Sequence, residues 1–354
     1  MKNLNKIFYT ICGSTAVETA IKISIAYHKA RGEGQRFRFV GRERAYHGMN
    51  IGATSVGGMI NNVKAYASVL MPGVVHMRHT HLDEHKFISG QPETGAEIAN
   101  DLERICTNFG SENIAACIVE PIAGSTGTLV PPVGYLQRLR ELCDKHKILL
   151  IFDEVITGWG RTGSAFGAQE FGVTPDIMTM AKATTNGIVP FGVVACKEEI
   201  YDAVMDNSPK GAIELFHGYT YSGHPIASAA ALKTIEIIEE EKILDHVRNV
   251  TPYFQYRLKK LGEKYECISD ARGIGLLGCL EGYSNPLLDD KKRLEVDYQF
   301  GTMIDKAAEK RGLLVRPIIN MCVFSPPLII NKTEIDLMFN ILDDAVSEVE
   351  KNLK

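Results

Sequence analysis

The sequence of 354 residues lacks the features of a disulfide-stabilised, zinc-binding or nucleic-acid-binding protein. None of its eight cysteines forms a CxxC pair, and several lie inside apolar runs, which argues against a zinc site and a disulfide framework. No long run of like charge occurs and the net charge is −4, so we expect neither nucleic acid nor an anionic membrane as a partner. We therefore predict reduced cysteines and no metal ligand set.

Long apolar segments are also missing. The first fifteen residues contain no apolar stretch of the kind found in signal peptides, and no later run approaches the length that crosses a bilayer. An apolar content of 45% and a charged content of 23% are typical of soluble globular proteins. These features predict a cytoplasmic protein with no membrane partner, and the length suffices for two domains.

The most informative stretch runs from Lys147 to Val194. It contains three short apolar runs without helical periodicity, namely residues 148–152, 176–181 and 191–195. Runs of this length are typical of strands that are buried on both faces of a parallel sheet. Asp153 follows the first run and Lys182 follows the second. We expect both side chains at the carboxyl ends of strands, the edge where α/β sheets bind ligands.

The residues alone leave two interpretations of this acid and amine open. In the first, Asp153 caps a turn and Lys182 projects into solvent, as most lysines do. In the second, apolar surroundings lower the pKa of Lys182 and free its amine to form a Schiff base. Asp153 is then the carboxylate that pairs with a pyridinium nitrogen, as pyridoxal 5'-phosphate (PLP) requires. The small residues of 183–187 would let a ligand approach the backbone.

The segments FDEVITGWGRTG, FGVTPDIMTMAK and GIVPFGVV resemble the active-site core of the class III aminotransferases, which are PLP enzymes of fold type I. The resemblance extends from Phe8 to the last helix, with five separated motifs in family order. It implies an α/β fold with a mostly parallel central sheet flanked by helices, and a smaller α+β C-terminal domain. We predict a large PLP-binding domain over residues 1–240 and a small domain over residues 241–354.

The turn at residues 13–15 is the first candidate for cofactor binding. Free N–H groups at the start of a helix bind anions, although an ordinary Ser or Thr helix cap has the same sequence. The resemblance implies that Gly13, Ser14 and Thr15 bind the PLP phosphate. The family usually has Ser-Gly-Ser-Glu-Ala here, and this chain departs from it at Cys12 and Thr15.

Four further residues are candidates for contacts with the cofactor ring. Tyr46 precedes a glycine at a strand end, where an aromatic side chain either stacks on a planar ring or packs under a loop. The resemblance implies that Tyr46 stacks on the pyridine ring and that His47, otherwise a local hydrogen-bonding group, also contacts the cofactor. Glu120 either caps the turn at Pro121 or, as the resemblance implies, lies near the ring and the substrate. Val155 belongs to the same set of cofactor contacts.

Substrate and partner contacts come from later motifs. The segment GLLVRPIINMCVFSPPLII contains Arg316, which by resemblance binds the substrate carboxylate and otherwise forms a surface salt bridge. Ser125 stands where the branches acting on ornithine or γ-aminobutyrate usually have a glutamate. The motif HGYTYSGHP implies that Thr220 reaches the phosphate in the neighbouring subunit, although a hydroxyl-rich loop is often only a loop. We therefore expect a homodimer with shared active sites.

The resemblance is strongest to the branch that transfers amino groups from ω-amino acids (β-alanine type) to pyruvate. It implies a ping-pong transaminase with Lys182 and Asp153 as catalytic residues, acting on an ω-amino acid or amine and on pyruvate or a similar keto acid. Two alternatives stay open: an aminomutase of the glutamate-1-semialdehyde type, which needs no external keto acid, and a non-catalytic PLP-fold remnant. Family members carry a further segment before the Gly-Ser turn, so we expect either a fragment or a reduced relative.

Overall fold

The computed structural model describes residues 3–208 and 211–353 and contains two β-sheets in that part of the chain. The strands are β1 (Leu4–Thr10), β2 (Arg38–Arg42), β3 (Val74–Met77), β4 (Ile114–Val119), β5 (Leu149–Asp153), β6 (Ile177–Met180), β7 (Gly192–Lys197), β8 (Ile268–Ile274), β9 (Leu277–Gly282), β10 (Arg316–Ile318) and β11 (Met321–Phe324). The α-helices are α1 (Gly13–Ala30), α2 (Ile51–Val56), α3 (Ile60–Ala65), α4 (Asp101–Phe109), α5 (Tyr135–His146), α6 (Gly167–Glu170), α7 (Glu198–Asp206), α8 (Pro225–Glu240), α9 (Ile243–Lys264), α10 (Asp290–Glu309) and α11 (Lys332–Leu353). None of the helices in these ranges combines the length and the apolar character needed to span a bilayer.

The larger sheet has the strand order β1-β7-β6-β5-β4-β2-β3. β7 runs antiparallel to both of its neighbours, and the other strands run parallel to one another. This arrangement confirms the predicted mostly parallel sheet. It also brings the carboxyl ends of β1, β2, β4, β5 and β6 to one edge, together with the amino end of β7.

Alternate residues of the central strands pack on opposite faces of this sheet, because successive strand side chains point in opposite directions. Leu150 and Phe152 join the core that contains the apolar side of α5. Leu149 and Ile151 join the core that contains the apolar side of α1. Burial on both faces explains why β5 reads as an unbroken apolar run.

The second unit is a four-stranded antiparallel sheet of order β10-β11-β9-β8, packed with α9, α10 and α11. Its core extends from Ile243 to Val349. The smaller α+β unit is therefore confirmed. The division after residue 240 is still a prediction, supported by the end of α8 at Glu240 and the start of the second core three residues later.

The sequence GIGLLGCL over residues 273–280 has the apolar pattern of one continuous strand, but the structure does not form one. The chain forms a hairpin there, in which β8 pairs with β9 around a turn at Gly275 and Leu276. Gly275 has φ of +59°, and a Cβ on it would lie 2.5 Å from the carbonyl oxygen of Arg161. Only glycine adopts this left-handed conformation so close to another backbone without strain.

Three other segments differ in structure from what their sequence patterns suggest. The apolar run at residues 313–315 suggests a strand that ends at Arg316, whereas β10 begins there. The sequence of residues 93–109 suggests one helix, but the α-helical part begins only at Asp101, after a 3₁₀ turn over Ala96–Asn100. The sequence of residues 57–92 shows no regular pattern, yet this segment contains β3 at the edge of the large sheet.

Candidate active site

A cavity of about 370 Å³ opens at the carboxyl edge of the large sheet. Loops after β1, β2, β4, β5 and β6 contribute to its wall, as the strand directions require. The predicted site residues that line it are Gly13, Ser14, Tyr46, His47, Glu120, Asp153, Val155 and Lys182. Residues from five separate motifs therefore meet in one place.

Asp153 ends β5 and is buried, with 4% of its surface exposed. The His47 Nδ1–H donates to Asp153 Oδ2 at 2.8 Å, and the Val155 backbone N–H donates to Oδ1 at 3.1 Å. The other ring nitrogen of His47, Nε2, is buried and has no hydrogen-bond partner among the described residues. Both carboxylate oxygens are thus held, and the orientation of the carboxylate is determined by its two partners.

Lys182 follows β6 and lines the same cavity, where its side chain retains access to solvent. Its backbone is left-handed, with φ of +44°, at the start of a short 3₁₀ turn. Burial by surrounding protein atoms lowers the pKa of the amine, and the positive charge of Arg316 lowers it further, whereas Asp153 and Glu120 act in the opposite direction. The neutral, nucleophilic amine is therefore more populated than in a free lysine.

This pKa shift predicts the pH dependence of Lys182 labelling in cofactor-free protein. Because acylation requires the neutral amine, the labelling midpoint is expected at lower pH than that of a free lysine side chain, whose pKa is 10.5. Residue-resolved mass spectrometry across a pH series measures this midpoint. Asp153→Asn should move it further down and Arg316→Ala should move it up, because these two charges act on the amine in opposite directions. A midpoint at or above that of free lysine would contradict the assignment.

Glu120 follows β4 and joins two loops of the cavity wall. Its Oε1 accepts the Tyr46 backbone N–H at 2.9 Å, and its Oε2 accepts the Gly124 N–H at 3.2 Å. Burial raises the pKa of this carboxyl group, and the nearby His47 only partly offsets that effect. Glu120 therefore holds the backbone of Tyr46 in place at the cavity.

The amino end of α1 forms another part of the wall. The N–H groups in the first turn of a helix have no partner within the helix and are directed to its end. Gly13 lies so close to Val155 that a Cβ would be 3.1 Å from the valine Cγ2. Gly48, with φ of +116°, approaches Ser14 so closely that a Cβ would collide with the serine hydroxyl. The glycines let the backbone approach whatever occupies this end of the cavity.

Three predicted residues do not line this cavity. The Thr15 hydroxyl accepts the Cys12 N–H at 3.0 Å and donates to the Cys12 carbonyl at 2.9 Å, so it faces the end of β1. Arg316 is exposed and borders a separate groove with residues of α11. Thr220 is exposed in the loop before α8.

The donor and acceptor set fits pyridoxal 5'-phosphate. A helix amino end suits a phosphate, a buried carboxylate suits a protonated ring nitrogen, and an aromatic side chain suits the face of a planar ring. An amine of lowered pKa suits an aldehyde. Gly13 and Ser14, Asp153, Tyr46 and Lys182 supply these groups around one cavity.

Several wall residues were not among the predicted site residues, although Thr185 and Gly187 belong to the small-residue loop 183–187 that we expected near a ligand. These wall residues are Ile11, Cys12, Gly48, Ile156, Ala181, Thr185, Gly187, Val189, Pro190 and Phe191. Val189, Pro190 and Phe191 lie at the amino end of β7, which reaches the cavity edge only because β7 is antiparallel. The apolar pattern of β7 predicted a strand but carries no signal for its direction.

Comparison with known proteins matches residues 1–346 to the class III aminotransferase family. The chain is 47% identical over 350 residues to the omega-aminotransferase of Caulobacter vibrioides, covering 99% of this chain and 77% of that protein. It is 45% identical over 280 residues to the beta-alanine–pyruvate aminotransferase of Pseudomonas aeruginosa, covering 78% of this chain and 62% of that protein. A solved amine transaminase from an uncultivated Pseudomonas species, in its PLP-bound form, has a TM-score of 0.88 and 36% identity, covering 97% of this chain and 77% of that chain.

Proposed function

Because the chain belongs to the class III aminotransferases, we propose that it transfers an amino group from an ω-amino acid or amine to pyruvate or a similar keto acid. The observation that carries the proposal is the meeting of Lys182, with its lowered pKa, and the oriented Asp153 carboxylate at one cavity. The names of the two similar transferases supply the substrate class.

We propose pyridoxal 5'-phosphate as the cofactor. Gly13 and Ser14 would hold its phosphate, Asp153 its ring nitrogen, and Lys182 its aldehyde carbon, with Tyr46 on the ring. When bound, PLP supplies an electron sink for the charge that develops on the substrate carbon. Val155, His47 and Glu120 complete the surroundings of the cofactor in this proposal.

The protein's own catalytic work is then a proton transfer at Lys182 Nζ. The amine, whose pKa is lowered by burial, accepts the proton from the amino-bearing carbon of the donor. Asp153 stays oriented by His47 and the Val155 N–H, so its negative charge faces the cavity throughout. Each turnover consists of two half-reactions, which gives ping-pong kinetics.

Arg316 is our proposed site for the carboxylate of the keto acid. It is exposed, and its charge is near enough to Lys182 to lower the pKa of that amine. Ser125 in place of a glutamate leaves the guanidinium without a carboxylate partner from that position. Arg316 is then free to bind the acceptor and to move aside for a donor without an α-carboxylate.

The test is an assay of the full chain with PLP, β-alanine and pyruvate. The proposal expects alanine to form in step with pyruvate consumption and parallel double-reciprocal plots for the two substrates. An aminomutase would convert its substrate without consuming a keto acid, and a non-catalytic remnant would form no alanine. Either of these results, obtained across a panel of ω-amino donors, would overturn the proposal.

We also propose a cytoplasmic homodimer in which Thr220 reaches the cofactor phosphate of the partner subunit. The exposure of Thr220 away from its own cavity supports this geometry. Mixed dimers of Lys182→Ala and Thr220→Ala chains would contain one intact site if the site is shared. Mixing should therefore restore activity, and unrestored activity in confirmed mixed dimers would contradict sharing.

A further inference from the structure

A buried arginine of the second sheet contacts the loop that leads from Glu120 past Ser125. Arg272 lies on β8 with 3% of its surface exposed. Its Nε donates to the Gly127 carbonyl at 2.7 Å, and its Nη1 pairs with Glu281 at 2.6 Å and with Asp270. One guanidinium thus joins the second sheet to a loop of the first unit.

The acidic groups around Arg272 are already paired with its guanidinium. His81, Asp270 and Glu281 offer ligand atoms that lie within 4.8 Å of one another. Arg272 Nη1 pairs with both carboxylates and lies 3.5 Å from His81 Nε2. The guanidinium therefore supplies the positive charge that a metal would bring, and the cluster is an arginine clamp.

The clamped loop, residues 124–128, is packed closely against Arg272. Gly127 has φ of +109°, and a Cβ on it would lie 2.6 Å from Arg272 Nη2 and 2.6 Å from Met321 Sδ. Thr128 Oγ1 adds a buried hydrogen bond of 3.2 Å to the Gly278 carbonyl on β9. The position of the loop, and of Ser125 within it, is therefore set by its contacts with the second sheet.

The same loop is joined to Tyr46 by two routes. In the first, the Thr126 hydroxyl donates to the Arg44 carbonyl, and Arg44 Nη2 donates to the Thr126 carbonyl at 3.0 Å. In the second, Glu120 accepts N–H groups from both Gly124 and Tyr46. Tyr46 follows Arg44 by two residues, so displacement of the loop would displace its ring.

We propose that Arg272 is a positioning residue for the cofactor site, acting through loop 124–128 on Tyr46 and Ser125. This inference rests on the proposed function, since it assumes that Tyr46 contacts bound PLP. A lysine keeps the charge at this position but has no fork, and so cannot bond the Gly127 carbonyl and both carboxylates in the same geometry. In this proposal the second sheet influences cofactor binding through the position of Tyr46, without contacting the cofactor.

Arg272→Lys tests the proposal by absorbance titration of the cofactor-free protein with PLP. Loss of a hydrogen bond from a charged group is expected to raise the PLP dissociation constant about tenfold. Arg161→Lys is the matched control, because Arg161 also reaches the second unit, through the carbonyls of Leu276 and Pro326, away from loop 124–128. We expect Arg161→Lys to lower the Tm comparably and to leave the dissociation constant within about twofold.

A double-mutant cycle with Tyr46→Ala separates positioning from general destabilisation. If two distant residues act independently, their free-energy changes add, so the fold-changes in the PLP dissociation constant would multiply. Positioning through Tyr46 predicts that Arg272→Lys adds little in the Tyr46→Ala background, whereas Arg161→Lys behaves identically in both backgrounds. Multiplicative effects of Arg272→Lys and Tyr46→Ala, or an unchanged dissociation constant in Arg272→Lys, would overturn the inference.

Two further outcomes are distinguishable. If the unmodified protein does not bind PLP, the proposed function fails before the Arg272 variants are compared. If Arg272→Lys does not fold, Thr126→Val removes the hydroxyl that bonds the Arg44 carbonyl and leaves the arginine clamp in place. A raised dissociation constant in Thr126→Val supports the same path, and an unchanged one contradicts it.

Discussion

Lys182→Ala is expected to lower kcat for amino transfer by about 10³- to 10⁴-fold, since one side chain both attaches the cofactor and transfers the substrate proton. The fold is expected to be unaffected, because the Lys182 side chain is exposed at the cavity and belongs to none of the three hydrophobic cores. Initial rates with β-alanine and pyruvate measure the loss. Lys259→Ala, on the exposed face of α9, controls for the removal of a lysine and should retain full activity.

Borohydride reduction of the PLP-loaded protein checks the same assignment without turnover. Peptide mass spectrometry should find the pyridoxyl group on Lys182 in the unmodified protein and on no lysine in Lys182→Ala. The variant should still bind PLP, because the groups at the start of α1 and the Asp153 carboxylate are unchanged. A pyridoxyl group on another lysine, or a variant with more than a tenth of the original rate, would contradict the role of Lys182.

Asp153→Asn is expected to lower kcat by about 10²- to 10³-fold while leaving the Tm nearly unchanged. Asparagine has almost the same shape and can still accept the Val155 N–H, but it lacks the negative charge that keeps a ring nitrogen protonated. The His47 Nδ1–H, at 2.8 Å from the present carboxylate, would then face an amide. Steady-state rates and thermal unfolding together separate lost charge from lost structure.

His47→Gln separates the two contributions of Asp153, its charge and its orientation. It removes the ring that orients the Asp153 carboxylate and leaves the charge, so a smaller loss of about tenfold is expected. If Asp153→Asn retained activity within tenfold, its carboxylate would not be the partner of the ring nitrogen. If His47→Gln lost as much as Asp153→Asn, orientation rather than charge would be the larger contribution of this pair.

Much of the large sheet was predictable because its central strands are buried on both faces. β4, β5 and β6 each appear as short apolar runs without helical period, and the residue after each run reaches the cavity edge. The positions of Glu120, Asp153 and Lys182 at that edge follow from this pattern. Their roles were inferred only from the resemblance of the motifs to those of the class III aminotransferases.

The hairpin of β8 and β9 was not predictable in the same way. Gly275 interrupts an apolar run in which every neighbour is compatible with a continuing strand. The Leu276 N–H donates to the Arg161 carbonyl at 3.0 Å, and the same carbonyl leaves no space for a Cβ on Gly275. A contact between residues far apart in sequence therefore decides a local turn.

By itself, the sequence determined the class of fold, the family and eight of the residues that meet at the cavity. Those properties depend on local periodicity and on short motifs, which the order of residues contains directly. Only the tertiary structure decided that His47 bonds Asp153, that Thr15 turns away from the cavity, and that Arg272 clamps a loop 145 positions earlier in the chain. Such contacts depend on how whole elements pack against one another. Each one joins residues from distant segments, so no single segment determines its energy.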